Sequence, residues 1–197
     1  MRSDPPDAAA YASALAKVTV GRPAPLTGPV VLAPYNPCWP VLYERERARI
    51  RRALGARAIL IEHAGSTSVP GLWAKPILDI VLEVPDASAE AAYLPDLEAA
   101  GYVLRIREPE WFEHRLCKGS DTDVNLHIFP AGCEETARML RFRDWLRAHP
   151  DDRELYLHTK RALAAMPWTY MQQYADAKTE VVRAILARAA KAAQDSV

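Results

Sequence analysis

Two strand-like segments limit the folds open to this chain, because each alternates apolar and polar residues with a period of two. Residues 77–84 read ILDIVLEV, and residues 123–129 read DVNLHIF. A period of two places successive side chains on opposite faces of a strand. Asp79 and Glu83 therefore share the polar face of the first strand, and His127 lies on the polar face of the second. If the two strands are neighbours, their apolar faces form one core and their polar faces meet.

The rest of the chain supplies further strands and helices around this pair. Apolar runs bounded by turn residues predict three more strands, at 58–63, 102–106 and 112–118. Helical spacing of apolar residues predicts helices at 7–17, 39–54, 88–100, a stretch after Cys133, 154–165 and 170–192. The predicted fold class is α+β, with a mixed or antiparallel sheet flanked by helices and followed by a C-terminal helical subdomain.

Proline content and pattern divide the 197 residues into three parts. Eight of the 16 prolines fall within the first 40 residues, so residues 1–28 are predicted to form an N-terminal extension. We assign residues 29–133 to the core and residues 134–197 to the helical subdomain. This length favours one domain with an appendage over two large domains.

Charge and composition exclude several classes of protein. The 25 Lys and Arg residues balance the 25 Asp and Glu residues, so binding to nucleic acid through bulk charge is not expected. No run approaches the ~18 apolar residues that span a bilayer, and the acidic, proline-containing start differs from a secretory signal. Three cysteines are too few for a disulfide framework. We expect a cytoplasmic protein that does not interact with membranes.

The segment GSTSVPG, which follows the first predicted strand, has the composition of an anion-binding loop. Gly65, Ser66 and Thr67 offer backbone N–H groups and hydroxyls at a predicted helix N-terminus. A capped strand-to-helix turn has the same composition, and the Walker A spacing is absent. Lys75 and Asp79 follow within fifteen residues and add a cation and a carboxylate. Together these groups favour a phosphate site with a divalent metal.

Other polar residues are candidates for the same site. Histidine as a residue type suits a metal ligand or a general base toward an acceptor hydroxyl or amine, so His127 is a candidate for either role, although a hydrogen-bonded structural histidine fits equally well. Lys118 and Arg143 are candidate phosphate contacts, and solvated surface charge is their alternative role. A zinc site is a weaker alternative, because its four soft ligands lack a paired C-x₂-C motif: His114, Cys117, His127 and Cys133.

Several motifs taken together resemble the GrpB family, also known as UPF0157. In chain order they are HAGSTSVPGLWAKPILDI from His63, NLHIF from Asn125, RFRDWLRAHP from Arg141, and the pairs Tyr156/Lys160 and Tyr174/Lys178. The resemblance runs from about residue 30 to about residue 185. It implies membership of the nucleotidyltransferase superfamily, with a DNA polymerase β-like fold.

In that superfamily a Gly-Ser pair holds the triphosphate, and a D-x-[DE] pair on the next strand holds metal ions. Gly65 and Ser66 match the first pair, and Asp79 matches the first acid. Val81 stands where the second acid is required, and the nearest substitute is Glu83, about 7 Å further along the same face. The third acid, from a later strand, is also displaced or absent. This departure puts a two-metal mechanism in doubt.

The resemblance implies an enzyme that transfers an NMP from an NTP, with Mg²⁺ or Mn²⁺, to a small-molecule acceptor. The missing acids favour the alternative of a non-catalytic nucleotide- or CoA-binding module. The predicted site comprises catalytic Asp79 and His127, metal ligands Asp79 and Glu83, and ligand contacts Gly65, Ser66, Thr67, Lys75, Lys118 and Arg143. The two Tyr/Lys pairs either pack the helical subdomain onto the sheet or lend Lys160 and Lys178 to the site, and we favour packing.

Overall fold

A computed structural model describes residues 8–195, in which five strands form one mixed sheet. The strands are β1 (Leu60–Ala64), β2 (Leu78–Val84), β3 (Tyr102–Glu108), β4 (His114–Gly119) and β5 (Val124–Pro130). Their order across the sheet is β1-β2-β5-β4-β3. The central neighbours β2 and β5 are parallel, and the other neighbouring pairs are antiparallel.

Helices precede, interrupt and follow the strands. They are α1 (Ala8–Val18), α2 (Trp39–Leu54), α3 (Leu94–Ala99), α4 (Glu134–Ala148), α5 (Pro150–Ala164), α6 (Met171–Asp176) and α7 (Thr179–Gln194). The predicted α+β class, with a mixed sheet and C-terminal helices, is confirmed. The domain boundaries at residues 28 and 133 stay predictions. No helix within residues 8–195 combines the length and apolar character needed to cross a membrane.

Two predicted helices differ from the structure. The segment 88–100 is helical only from Leu94, because Pro95 has no N–H to donate to a carbonyl in a preceding turn. A short 3₁₀ turn takes the place of the missing first half. The predicted helix 170–192 is two helices, α6 and α7, separated after Asp176. The predicted helix 7–17 corresponds to α1, except that Asp7 lies outside the described residues.

The two faces of the sheet have different environments, as the alternation predicts. Leu78 and Ile80 on one face of β2 are buried in the main core, which α2 and α3 cover. On the opposite face, Asp79 of β2 lies in register with Asn125 of β5. The polar faces of these two strands therefore meet at the centre of the sheet, on the side away from the main core.

The extension makes specific contacts with the rest of the chain. Thr19 forms an isolated antiparallel bridge with Ile106 of β3. Further along, the Leu26 N–H donates to the Thr169 carbonyl at 2.8 Å. These contacts join the segment after α1 to the edge of the sheet and to the C-terminal helices.

Candidate functional site

A glycine loop lies directly against the Asp79 carboxylate. Gly65, which follows β1, has a φ of +67°, a left-handed conformation that glycine adopts without steric cost. A Cβ at this position would lie 2.2 Å from Asp79 Oδ2. The loop backbone can therefore approach the carboxylate only because residue 65 has no side chain. The next residue, Ser66, accepts a hydrogen bond at its Oγ from Lys160 Nζ, at 3.2 Å.

Lysines from four separate parts of the chain converge on this loop and carboxylate. Asp79 interacts electrostatically with three of them: Lys75 before β2, Lys118 on β4 and Lys160 on α5. The fourth, Lys178, lies before α7 and is close enough to Lys75 and Lys160 to lower the pKa of both. The ammonium groups of Lys75 and Lys178 lie over the ring of Tyr174, at 5.6 Å and 5.0 Å from its centroid.

Burial and mutual repulsion shift the pKa values of these lysines downwards. Burial, with a further contribution from Lys178, lowers the pKa of Lys160 to about 7 and that of Lys75 to about 8, although Asp79 acts in the opposite direction. For Asp79 itself burial raises the pKa, but His127, Asn125 and Lys75 outweigh it and bring the pKa to about 2. Asp123 also interacts electrostatically with Lys75 and Lys118, so two carboxylates face four ammonium groups, and the excess of positive charge attracts an anion.

His127 lies beside Asp79 at the end of a chain of side-chain contacts. Its Nε2 is 3.7 Å from Asp79 Oδ1, and its Nδ1 is 3.1 Å from His114 Nε2. The other nitrogen of His114 is 2.7 Å from Glu108 Oε2. The side chains of Asp79 and His127 remain 30% and 19% exposed, so a ligand can reach both.

The Glu108 carboxylate fixes the direction of every hydrogen bond in this chain. A carboxylate only accepts, so the His114 Nδ1–H donates to Glu108. Burial lowers the pKa of His114, which favours a neutral ring whose Nε2 accepts. His127 must then donate from Nδ1, which leaves Nε2, the nitrogen nearer Asp79, as the acceptor of the ring. The contacts therefore fix which nitrogen of His127 is available to a ligand.

The donor set does not fit the two-metal site that the resemblance implies. Within residues 8–195, no group of three or more His, Cys, Asp or Glu side chains is placed to hold a metal ion. Val81, at the position of the second acid, is fully buried, and it packs with Phe129. Asp79 remains as a single carboxylate, and Asn125 Nδ2 already donates to it at 2.7 Å. These residues offer one carboxylate, so at most one ion fits here, and most of its ligands would have to come from outside the protein.

Glu83 and the zinc alternative require correction. The Glu83 side chain accepts a hydrogen bond from the Gly132 N–H at 3.0 Å, at the far end of β2 from Asp79, so it does not substitute for the missing acid. The four soft ligands of the zinc alternative also fail to meet. Cys117 lies in the main core, on the face of the sheet opposite His127.

Two of the predicted ligand contacts lie elsewhere. The Thr67 hydroxyl is buried and bonded inside the protein, to His63 Nε2 at 3.0 Å and to the Ile77 carbonyl at 3.3 Å. Arg143 donates to Glu62 and to the His63 carbonyl, and it lines a separate cavity. The structure instead brings together Gly65, Ser66, Lys75, Asp79, Lys118 and His127.

Three residues beside Asp79 and His127 were outside the predicted site: Lys160, His114 and Glu108. The Lys160 ammonium lies 5.1 Å from the centroid of the Tyr156 ring, as the favoured packing role requires, and it also contacts Ser66, as the alternative role requires. The i, i+4 spacing of Tyr156 and Lys160 predicted their mutual contact, but it did not predict the contact of Lys160 with Ser66. His114 and Glu108 orient His127, and no spacing in the sequence signals this, because the contacts join two antiparallel strands to a third.

Solved structures and curated proteins provide relatives of this chain. A UPF0157 protein of Halalkalibacterium halodurans is 56% identical over 89% of this chain and 90% of its own length. A UPF0157 protein of Streptomyces coelicolor is 50% identical over 82% of this chain and 84% of its own length. The crystal structure of the conserved protein GrpB from Enterococcus faecalis matches with a TM-score of 0.62 and 26% identity, over 78% of this chain and 98% of that one.

A further relative is named as an enzyme. A dephospho-CoA kinase of Mycolicibacterium paratuberculosis is 32% identical over 68% of this chain, and the match covers 39% of the kinase. The sequence model of the GrpB protein family matches residues 29–188, which are most of the chain. This match and the two UPF0157 relatives agree with the motifs around Gly65, Asp79 and His127, and the chain belongs to the GrpB family.

Proposed function

We propose that this protein binds a nucleotide through its polyphosphate, in the pocket formed by the Gly65–Ser66 loop, Asp79 and the surrounding lysines. The observation that carries the proposal is the approach of several partly or fully buried lysines to one loop whose glycine has no room for a side chain. The backbone of such a loop and the ammonium groups together supply donors for phosphate oxygens. The binding takes place in the cytoplasm, where three free thiols are stable.

The charges support polyphosphate over a small neutral ligand. Buried ammonium groups are costly unless an anion compensates them. Asp79 and Asp123 compensate two of the four lysine charges, which leaves an excess of positive charge at the loop below the pKa of Lys75 and Lys160. The dephospho-CoA kinase named among the relatives makes dephospho-CoA a probe to test beside the four NTPs.

Lys75→Met is expected to weaken nucleotide binding about tenfold or more without metal. A hydrogen bond to a charged group contributes about 1.5–3 kcal/mol, and the methionine keeps most of the apolar stem. Isothermal titration calorimetry with each NTP and with dephospho-CoA, in EDTA at pH 6.5, measures the change. Lys191→Met, an exposed lysine on α7, is the matched control and is expected to bind as the wild type does.

Two results would contradict the proposal. If the wild type binds none of these ligands, with or without Mg²⁺, the pocket is not a nucleotide site. If binding requires Mg²⁺ and Asp79→Asn abolishes it while Lys75→Met does not, a metal ion rather than the lysines holds the phosphates.

A second candidate function is NMP transfer, and the orientation of His127 is the observation that favours it. An acceptor hydroxyl or amine would give its proton to His127 Nε2 as its oxygen or nitrogen forms a bond to the α-phosphorus. The bond from the α-phosphorus to the bridging oxygen breaks, and pyrophosphate leaves. Lys160 and Ser66 would donate hydrogen bonds to the oxygens of the departing pyrophosphate. Asp79 would stabilise the protonated His127.

His127→Gln separates this candidate from simple binding. If transfer occurs, pyrophosphate release from NTP in the presence of amine and hydroxyl acceptors is expected to fall at least a hundredfold, since general bases contribute about 10²–10⁴. His158→Gln, at an exposed position of α5, is the control. Nucleotide affinity of His127→Gln is measured in parallel. Absence of acceptor-dependent pyrophosphate release in the wild type would leave the protein as a binding module.

The tautomer of His127 provides a test that needs no acceptor. Long-range ¹H–¹⁵N NMR spectra of neutral His127 are expected to show the proton on Nδ1, because His114 accepts from it. A His127 that is Nε2-protonated in the wild type would contradict the assigned chain.

A further inference from the structure

A second cavity, of about 440 Å³, lies at the β1 edge of the sheet and does not include Asp79 or the lysines. Its walls come from α2 and the segment before it, from β1 and the loop after it, and from α4 and α5. Its basic lining residues are Arg143, Arg147 and Arg153, and its acidic ones are Glu44 and Glu62. A volume of this size accommodates a small organic molecule.

Two of the three arginines in this cavity already have partners. Arg143 Nη1 donates to Glu62 at 2.7 Å and to the His63 carbonyl at 3.0 Å. Arg147 donates from Nε and Nη2 to the Ser68 carbonyl, at 3.0 Å and 2.8 Å. The remaining acid, Glu44, pairs with Arg47 at 3.2 Å. These pairs leave no lining carboxylate free for the third arginine.

Arg153 is that third arginine, and its guanidinium has no partner among the residues that the structure describes. It lies in the first turn of α5, is half-buried, and takes part in no side-chain hydrogen bond or ion pair. A guanidinium carries five N–H donors, which suit a planar or tetrahedral anionic group. In a concave site, partly shielded from water, such an unpaired donor set marks a place for an anion.

The rest of the lining determines the other part of the ligand. Tyr35 is half-buried, and its ring contacts Trp39 edge-on at 5.4 Å, which leaves it held as a wall of the cavity. Pro40 and Pro70 add apolar surface. His63 adds no positive charge at neutral pH, because burial lowers its pKa to about 4. The lining therefore combines one free cation with an apolar, partly aromatic wall.

We propose that this cavity binds a small organic anion, in which a phosphate monoester or carboxylate contacts Arg153 and an apolar body contacts Tyr35, Pro40 and Pro70. The ligand is distinct from the nucleotide and lies against Ser68 and Pro70, which follow the Gly65–Ser66 loop. Arg147 joins the two sites, since it holds the Ser68 carbonyl, and the Ser68 hydroxyl donates to the Gly65 carbonyl at 2.6 Å.

The probes are phenyl phosphate and benzoate, which share an aromatic ring and differ in the anionic group. Inorganic phosphate, which has no apolar part, is the control ligand. Each is titrated into ¹⁵N-labelled protein while the Nε–Hε signal of Arg153 and the amide signals of Tyr35 and Ser66 are followed. We expect one or both ring compounds to shift the Arg153 and Tyr35 signals at lower concentration than inorganic phosphate does. Comparing the two ring compounds identifies the anionic group.

Arg153→Gln is expected to weaken binding of the better ring compound at least tenfold, as followed at Tyr35, while Arg141→Gln, an exposed arginine of α4, leaves it unchanged. Lys160→Met is expected to leave the Tyr35 shifts unchanged, so this outcome is independent of nucleotide binding. The proposal is overturned if the ring compounds shift only Ser66, or if Arg153→Gln binds them as the wild type does. Circular dichroism of each variant confirms that it is folded.

Discussion

Gly65→Ala is expected to lower the free energy of unfolding by about 2–5 kcal/mol and to abolish nucleotide binding. Two effects add. An alanine in the left-handed conformation at φ +67° costs about 1–2 kcal/mol. The new Cβ would also meet Asp79 Oδ2 at 2.2 Å, Asp79 Cβ at 2.8 Å and Asp79 Cγ at 2.9 Å, and relieving such overlap costs about 1–3 kcal/mol more.

The overlap with Asp79 cannot be relieved without changing the pocket. Asp79 is held by Asn125, and its backbone is paired with Ala64 of β1 and Asn125 of β5, so the loop is the part that moves. Movement of the loop breaks the contact between Ser66 and Lys160. It also shifts the backbone N–H groups of the loop away from the lysine ammonium groups, so the two sets of donors no longer face the same ligand. We therefore expect the affinity for nucleotide to fall together with stability.

Gly71→Ala is the control, because it shares the conformational cost without the overlap. Gly71 lies in the same loop region with a φ of +79°, and a Cβ there would meet nothing within 4 Å. The free energy of unfolding of Gly71→Ala is expected to fall by about 1–2 kcal/mol, and the variant is expected to bind nucleotide as the wild type does. Urea denaturation and calorimetry compare the two variants. Equal losses of stability in both, with nucleotide binding retained in Gly65→Ala, would show that the close contact with Asp79 has no role.

The sequence predicted the part of the site that depends on strand periodicity. Because side chains alternate along a strand, the patterns around Asp79 and His127 determined which face each occupies. Whether the two strands are neighbours was left open, and the structure places them side by side, with Asp79 in register with Asn125. The composition of the loop indicated that Gly65 offers its backbone N–H, but the close approach of Gly65 to Asp79 appears only in the structure.

The contributions of the helices could not be predicted in the same way. Arg143 and Lys160 both lie on amphipathic C-terminal helices, and sequence periodicity gives the face of a helix but not the strand edge that it covers. Packing placed Arg143 at the β1 edge, beside Glu62, and placed Lys160 over Ser66. The prediction of Glu83 as a metal ligand was wrong for a related reason. The turn after β5 brings the Gly132 N–H to the Glu83 carboxylate, and the sequence pattern does not show this contact.

Lys160→Met is expected to reduce nucleotide affinity at least tenfold and to remove part of the pH dependence of stability. The ammonium of Lys160 stays protonated in the unfolded chain up to the ordinary lysine pKa of 10.5, but burial lowers its pKa in the folded protein to about 7. Between these values the unfolded state holds a proton that the folded state has lost. Each pH unit in that window therefore raises the free energy of unfolding of the nucleotide-free protein by up to about 1.4 kcal/mol.

Nucleotide affinity has the opposite pH dependence, since phosphate oxygens bind the protonated lysine. In the wild type the affinity is expected to decline from about pH 7 upwards, and in Lys160→Met from about pH 8, where Lys75 loses its proton. Lys191→Met keeps both lysines and experiences the same ionisation of the nucleotide, so the difference between the two variants isolates Lys160. Urea denaturation without nucleotide and calorimetry with it, both from pH 6 to 9.5, measure the two trends. A Lys160 that only packs against Tyr156 would leave the affinity profile of Lys160→Met identical to that of Lys191→Met, and that result would exclude a role in binding.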